Sequence, residues 1–523
     1  MHRIKSWFFR RLDAGSGAGV PGIAALAFAG SEDPALRGPR IYDSISAVRE
    51  YPFYIGGKPS RSGRPLEVTN PFDGSVVGQT WLAGEIEFDA AAEAAVGATG
   101  RMRDLAAYER GDILHRISRL LADSREDVAR TLAGEVGKPI RDALIETDRA
   151  TMTFQIAAEA ARNIAGEVIP LDLAPFARGR MGIVRRVPIG PIAAISPFNF
   201  PLNLSAHKIA PAIAAGNPIV LKPATKTPLS AVTLGRLAAE AGAPDGAVSV
   251  LPMDRKTGDR LVTDPRFKLL TFTGSADVGW DMKARAGRKK VILELGGNAA
   301  VIVDESADLA FAAARIVSGG FALAGQSCIS VQRVFVHEAV AAGFTSRLVD
   351  TVNALRAGDP LDPATELGPM VDERETERVQ SWIEEAVNAG ARVLTGGRRL
   401  GGALYAPTVL EGAPPDAKVC AEEAFAPLVV LTRFADFEDA LAQANASAFG
   451  LQAGVFTASL EHALLAFDRL EVGGVIVNDV PTWRVDHMPY GGVKDSGLGR
   501  EGPRYTIEEM TEPRLLVINR QRS

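Results

Sequence analysis

Short apolar runs of strand length recur through the middle of the chain, each ending in turn residues: PIAAISPFN from Pro191, PIVLKPA from Pro218, AVSVLP from Ala247 and LLTFTG from Leu269. Segments with helical spacing lie between them, among them SAVTLGRLAAEAG from Ser230. Strands alternating with helices predict βαβ units and a parallel sheet, which binds ligands at the carboxyl ends of its strands. Upstream, from Phe88 to Gly166, Ala, Leu, Glu and Arg dominate, and Ile113, Ile117, Leu120 and Leu121 recur at helical spacing, predicting packing helices. A second alternating block starts at AAVIVD (Ala299), runs through a helical stretch from Ala307 to Ala324 and VQRVFVHE (Val331), and reaches a helix from Val340 to Leu355. The junction falls at Gly296 and Gly297, expected to permit a tight change of direction. RGRMGIVRRVPIG, around Arg178, alternates like an exposed strand that joins neither core.

A chain of 523 residues exceeds the size of one core, so more than one structural unit is expected. It is 46% hydrophobic and 23% charged, and its net charge of −5 comes from 58 basic and 63 acidic residues. No basic tract tracks a phosphate backbone, and Arg285, Arg288, Lys289 and Lys290 read as a solvated helix face, so nucleic acid is not expected as a partner. Two cysteines, Cys328 and Cys420, give no disulfide framework and suit a reducing, cytoplasmic compartment. The six histidines have no metal-binding spacing, and no metal is expected. The basic start MHRIKSWFFRR precedes an apolar run, Val20 to Gly30, that Pro21 and Gly22 interrupt. It is read as a disordered extension over residues 1–50 rather than a leader, and it is too short to span a bilayer.

Three residues carry candidate chemistry. Cys328 in GQSCIS follows small residues that leave its sulfur approachable, although a lone cysteine is most often an inert small hydrophobe, the reading kept for Cys420. Glu294 ends the apolar run VILEL, where partial burial would raise it into the range of a useful base. Asn199, on a turn after a strand and between prolines, suits an amide held towards an oxyanion; alone it is a turn former. Together they form a coherent set for oxidising a carbonyl.

The motifs SPFNFP, LKPA, FTGS, LELGG, GQSC, EEAFAPL and PYGGVKDSGLGREG stand in the order and approximate spacing of the aldehyde dehydrogenase superfamily, and the resemblance runs from about Tyr54 to the C-terminus. It implies two Rossmann-type α/β domains plus a small β oligomerisation element: residues 51–170 and 189–297 for the dinucleotide, 298–497 for catalysis, and 171–188 with 498–523 for a homodimer or homotetramer. It further implies that Cys328 is the nucleophile, Glu294 the general base, and Asn199 an oxyanion donor with the Cys328 backbone N–H. An aldehyde would become a carboxylic acid through a thiohemiacetal and a thioester, with NAD or NADP as cofactor. The presence of Glu294 favours hydrolysis over transfer to coenzyme A.

For the cofactor the resemblance implies Ile195, Ser196, Pro197 and Phe198 in the first turn, then Lys222, Ala224 and Thr225. Gly274, Ser275, Val278 and Leu295 follow, with Glu423 and Phe425 at the nicotinamide ribose. Many NAD-preferring relatives carry a glutamate where Thr225 stands; with Lys222 and Lys226 nearby, NADP is predicted to be accepted, the alternative being NAD with weaker ribose contacts.

The wording around Asn199 and RVDHMPYGG is closest to the lactaldehyde, glyceraldehyde and semialdehyde branch, where substrates are small and polar. Phe200, Leu204, His207, Ser327 and Ile329, with Trp483, Arg484, His487 and Tyr490, are then expected along or near the substrate tunnel. Arg484 would pair either with an anion on the substrate or with Asp486 as a structural ion pair, and the ion pair is favoured. The rival readings are a cofactor-independent thiol esterase and a non-catalytic use of the fold.

Overall fold

A computed structural model describes residues 48–520. The apolar runs of the first block form the parallel centre of an eight-stranded sheet, in the spatial order Val248–Val250, Ile219–Lys222, Ile192–Ile195, Leu269–Thr273, Lys290–Glu294. Within the first four of these strands every residue but Lys222 is buried, which is why they read as unbroken apolar runs instead of alternating. Antiparallel strands cover the edges, Phe53–Ile55 and Lys58–Ser60 on one side and Gly497–Leu498 on the other. The predicted packing helices are Glu85–Asp104, Ala107–Asp123, Arg125–Val136 and Ile140–Ala161. Ile113, Ile117 and Leu121 of the second are buried on the face turned to the core.

The second block forms a seven-stranded sheet, in the order Arg392–Thr395, Thr408–Glu411, Leu428–Phe434, Val331–His337, Ala299–Val303, Gln452–Phe456, Gly474–Val477. All neighbours are parallel except the first pair. A third, antiparallel sheet places Arg180–Pro188 between Glu167–Pro170 and Thr511–Asn519.

Several expectations need correction. The third sheet recruits Glu167–Pro170 from the segment assigned to the first unit, whereas Gly497–Leu498 pairs with Leu293 and Glu294, and Ile507 and Met510 bury into the first core. The boundary therefore follows strand pairing, which a linear reading cannot see. Gly296 and Gly297 lie in a stretch without turn or bend between the strands Lys290–Glu294 and Ala299–Val303, and neither has a positive φ. They are small because neighbours approach them: a Cβ on Gly296 would lie 2.5 Å from Glu423 Oε2, and one on Gly297 would lie 2.0 Å from the Cys328 carbonyl oxygen. The basic cluster is not one helix face. The helix Ala276–Arg285 ends at Arg285, held by Asp259 and Asp281, and Lys290 already opens a strand. Residues 1–47 of the N-terminal extension lie outside the described residues. Its last residues are tied down, Arg49 to Asp127 and Glu50 by a bridge to Gln79.

Candidate active site

Parallel register brings the strand ends to one level: Ile195 pairs with Lys222 and Phe272, and Thr273 pairs with Glu294. The chain leaves Ile195 through a turn fixed by a hydrogen bond between the Ser196 and Ser205 hydroxyls (3.0 Å) and enters the helix Pro201–Ala215 with proline at its first position. Asn199, on this turn, is buried. Its Nδ2 donates to the Gln326 carbonyl at 3.0 Å, its Oδ1 accepts from Phe200 N at 3.1 Å, and its own carbonyl accepts from Lys138 Nζ at 2.8 Å. The amide is thus held from three sides.

Cys328 follows the helix Leu309–Phe321 after a turn in which Leu323 (φ 51°), Ala324 (φ 52°) and Gly325 (φ 71°) are successively left-handed. Two non-glycine residues in that region are a local strain, of the kind that clusters at functional sites. Gly325 has no room for a side chain, because a Cβ would sit 1.9 Å from the Ala426 carbonyl oxygen. Cys328 Sγ lies 3.0 Å from the Tyr490 hydroxyl. Burial pushes its thiol up to about 12, assisted by the Glu423 and Glu294 carboxylates and opposed by the Tyr490 hydrogen bond and the Arg484 charge.

Glu294 is buried, and neither carboxylate oxygen has a hydrogen-bond partner among the described residues. Burial, with the neighbouring Glu501 carboxylate, raises it well above the usual carboxylate range, against the pull of Arg484, Lys208 and Arg500. Lys208 is itself buried; it donates to Thr271 and Thr273 and pairs with Glu501 at 3.5 Å.

These groups line a cavity of about 340 Å³. Cys328, Glu294 and Asn199 meet there, together with the expected Phe200, Leu204, Ser327, Ile329, Trp483, Arg484 and Tyr490. The two histidines do not reach it. His207 is buried behind the wall with Nε2 2.9 Å from Asp486 Oδ1, and His487 is exposed. The favoured ion pair of Arg484 with Asp486 is also corrected: Asp486 is taken by Arg149 (2.7 Å), His207 and Asn203. Arg484 stacks instead on the Tyr490 ring, Cζ 3.7 Å from its centroid, and its nearest anion is Glu501 at 3.7 Å. Its Nε and Nη2 are buried without a hydrogen-bond partner among the described residues.

Sequence reasoning missed a whole wall of the cavity, Lys138, Asp142, Glu146 and Arg149. The one available signal was Glu146, a carboxylate on the buried stripe Ala143, Ala150, Phe154 of an amphipathic helix.

The residues expected to hold a dinucleotide lie at or beyond the same strand ends. Lys222 is largely buried with its ammonium hydrogen-bonded to the Pro223 carbonyl (3.2 Å), and burial pushes it down. Its stem fills the space left by Gly258, where a Cβ would come within 2.5 Å. Thr225 Oγ1 donates weakly to the Met253 carbonyl at 3.4 Å, and Lys226 is occupied by an ion pair with Asp372. Gly274 and Ser275 lead into the N-terminus of the helix Ala276–Arg285, whose free N–H groups suit phosphate oxygens. Glu423, raised to about 7 by burial, accepts from Gly297 N at 2.9 Å. Phe425, itself left-handed at φ 49°, packs edge-on against Phe198 at 5.8 Å. A half-buried cation, a free helix N-terminus and a carboxylate beside close-approach glycines fit a nicotinamide dinucleotide.

A family model for the aldehyde dehydrogenase family matches residues 58–516. The chain belongs to that family. It is an NAD(P)-dependent aldehyde dehydrogenase. The enzyme is 43% identical to 3-sulfolactaldehyde dehydrogenase of Priestia aryabhattai over 477 residues, which cover 91% of this chain and 99% of that relative. Among solved structures it is similar to aldehyde dehydrogenase 21 from Physcomitrella patens in complex with the reaction product succinate. That likeness has a TM-score of 0.89 and 46% identity, and covers 91% of this chain and 99% of the other. Glyceraldehyde-3-phosphate dehydrogenase GapN from Methanocaldococcus jannaschii, complexed with NADP, matches with a TM-score of 0.83 and 38% identity over 87% of this dehydrogenase and 99% of its own chain. Among the described residues no helix is long and apolar enough to cross a membrane, and no cluster of His, Cys, Asp and Glu could hold a metal ion.

Proposed function

We propose that the enzyme oxidises a short aldehyde whose far end carries an anion, a carboxylate or a sulfonate, to the corresponding acid. The observation that carries this reading is Arg484. A buried guanidinium in the cavity wall, its Nε and Nη2 without hydrogen-bond partners among the described residues, stacks on the ring whose hydroxyl meets the Cys328 sulfur. Its similarity to a sulfolactaldehyde dehydrogenase, and to an enzyme seen with succinate, is in keeping.

In this reading the Cys328 sulfur adds to the carbonyl carbon and the displaced electron pair moves to oxygen, where Asn199 Nδ2 offers its second proton, the first being engaged by Gln326. Nicotinamide, when bound, accepts the hydride. Lys222, the helix beginning at Ala276 and Glu423 hold the dinucleotide. Glu294, as carboxylate, takes a proton from the water that attacks the thioester, and the C–S bond breaks to release the acid. NADP is accepted, because neutral Thr225 places no charge against a 2′-phosphate; Lys226, committed to Asp372, adds less than its position suggests. The assembly is a homo-oligomer in a reducing, cytoplasmic compartment.

A neutral 2-hydroxyaldehyde is the second reading, favoured by the Arg484 to Glu501 approach, which would make the guanidinium structural. Arg484→Gln decides between them in an assay of nicotinamide reduction with NAD and NADP in parallel. The proposal expects kcat/KM for succinic semialdehyde to fall roughly tenfold to a hundredfold further than that for lactaldehyde, which loses only the support that Arg484 gives the Cys328 sulfur. Equal changes for both substrates would overturn it.

A further inference from the structure

We propose that the Tyr490 hydroxyl is a catalytic group, a fixed hydrogen-bond donor that stabilises the Cys328 sulfur as thiolate when it attacks and again when it leaves. The inference rests on the reading of Cys328 as nucleophile.

Three observations support it. The hydroxyl lies 3.0 Å from Sγ, well inside hydrogen-bonding distance for sulfur. Tyr490 is buried and Cys328 partly buried, and desolvation pushes both upward, but a thiol is intrinsically the stronger acid. When one proton leaves it is therefore the sulfur's, and the hydroxyl becomes the donor to an anion, the stronger kind of hydrogen bond.

The surroundings of the sulfur give it little other help. Glu294 and Glu423 face it with carboxylates that oppose the thiolate, and Arg484 is the cation that favours it. No histidine or lysine hydrogen-bonds to the sulfur among the described residues, and the side-chain hydrogen bond it has is to a phenol.

The phenol is held in place. Tyr490 is 4% exposed, and its backbone exchanges two hydrogen bonds with Glu501, Tyr490 N to the Glu501 carbonyl at 3.1 Å and the reverse at 2.6 Å. The Arg484 guanidinium rests on its ring at 3.7 Å, where a cation draws electron density from the ring and makes the hydroxyl a better donor. Phenylalanine would fill the same ring space, so only the hydroxyl distinguishes the two side chains here.

The proton balance is simple. On attack the thiol proton passes to Glu294 as carboxylate or to water, the S–C bond forms, and the carbonyl pair moves to oxygen. On hydrolysis the C–S bond breaks, its pair returns to sulfur, and the hydroxyl meets it. Tyr490 keeps its own proton throughout.

The test uses the full chain with Tyr490→Phe and, separately, 3-fluorotyrosine at 490, a stronger donor of similar size. The rate of Cys328 alkylation by iodoacetamide is followed against pH, alongside kcat and KM. Tyr490→Phe is expected to alkylate about tenfold to a hundredfold more slowly at neutral pH, with its profile moved to more alkaline pH, and to lower kcat more than it changes KM. Fluorotyrosine is expected to move the profile the other way, which a packing role would not. A Tyr490→Phe profile superimposed on the unmodified one, with Cys328→Ala inactive, overturns the role of Tyr490. Aldehyde oxidation that survives in Cys328→Ala overturns instead the assignment of the nucleophile.

Discussion

Glu294 combines two properties that pull against each other. Full burial beside Glu501 holds its proton far more tightly than in the unfolded chain, so folding is favoured where Glu294 is protonated. That contribution is complete below the unfolded carboxylate range and is lost as pH rises towards the raised folded value. The base proposed for hydrolysis is the other form, which predominates only above that raised value. Deacylation is therefore expected to fall with decreasing pH well before an ordinary carboxylate would titrate. Glu294→Gln, a permanent mimic of the neutral acid, should accumulate acyl-enzyme visible by intact mass while melting at higher temperature than the native enzyme at pH 8. A lower midpoint would contradict the burial argument. Asn199→Ala removes the side-chain amide proposed as oxyanion donor, and turnover should drop on the order of a hundredfold to a thousandfold in steady-state assays. Both residues were legible, because each sits where an apolar strand run meets turn residues. The partner of Arg484 was not: Asp486 stands two residues away in the chain, yet its carboxylate is claimed by Arg149, 337 positions distant. Proximity in sequence says nothing about the direction in which a loop points its side chains.

At the scale of elements, the buried parallel strands were readable and the surfaces that complete them were not. A strand covered on both faces leaves a continuous apolar run, whereas edge pieces such as Lys58–Ser60 and Gly497–Leu498 are short and partly exposed and carry no period. The helix Ile140–Ala161 was recognised as helix, but its functional face was not. Glu146 there forms a buried ion pair with Lys138 just before the helix, and its Oε1 accepts from Leu202 N and Asn203 N at 3.1 Å each, capping the helix Pro201–Ala215. Lys138 in turn reaches the Asn199 carbonyl and lies over the Phe200 ring at 4.2 Å. One packing helix thereby sets the turn that carries Asn199. Glu146→Ala would strand a buried ammonium and two helix N–H groups, a loss of about 3–5 kcal/mol. Urea titration should show it, and kcat should fall together with stability. An unaltered urea midpoint would mean that water replaces the carboxylate without cost.

For the molecule as a whole, the segment that least resembles the outside of a monomer is the C-terminal strand Thr511–Asn519. It forms the outer edge of the three-stranded sheet, and no strand among the described residues pairs with its other side. Leu515 (51%) and Val517 (47%) project from one face, and Leu516 (55%) and Ile518 (37%) from the other, because successive residues of a strand alternate. A strand that is apolar on both faces and open along its edge is unstable towards association, and Leu173 and Phe176, between the other two strands, add to the exposed apolar area. In sequence its partner around Arg178 already read as an exposed strand outside both cores, although nothing there showed that both faces of Thr511–Asn519 would be equally bare. Closed symmetric assembly would cover the same strand on every copy. Sedimentation velocity is expected to give a dimer or tetramer at micromolar concentration. The double variant Leu515→Arg with Leu516→Arg, which places one charge on each face, should yield smaller species. Cys328, Glu294, Tyr490 and Arg484 all belong to one chain and lie outside this strand, so a fall in mass with an unaltered Cys328 alkylation profile would separate assembly from the chemistry of the site. A native chain that sediments as a monomer would remove the physical reason for the exposed strand.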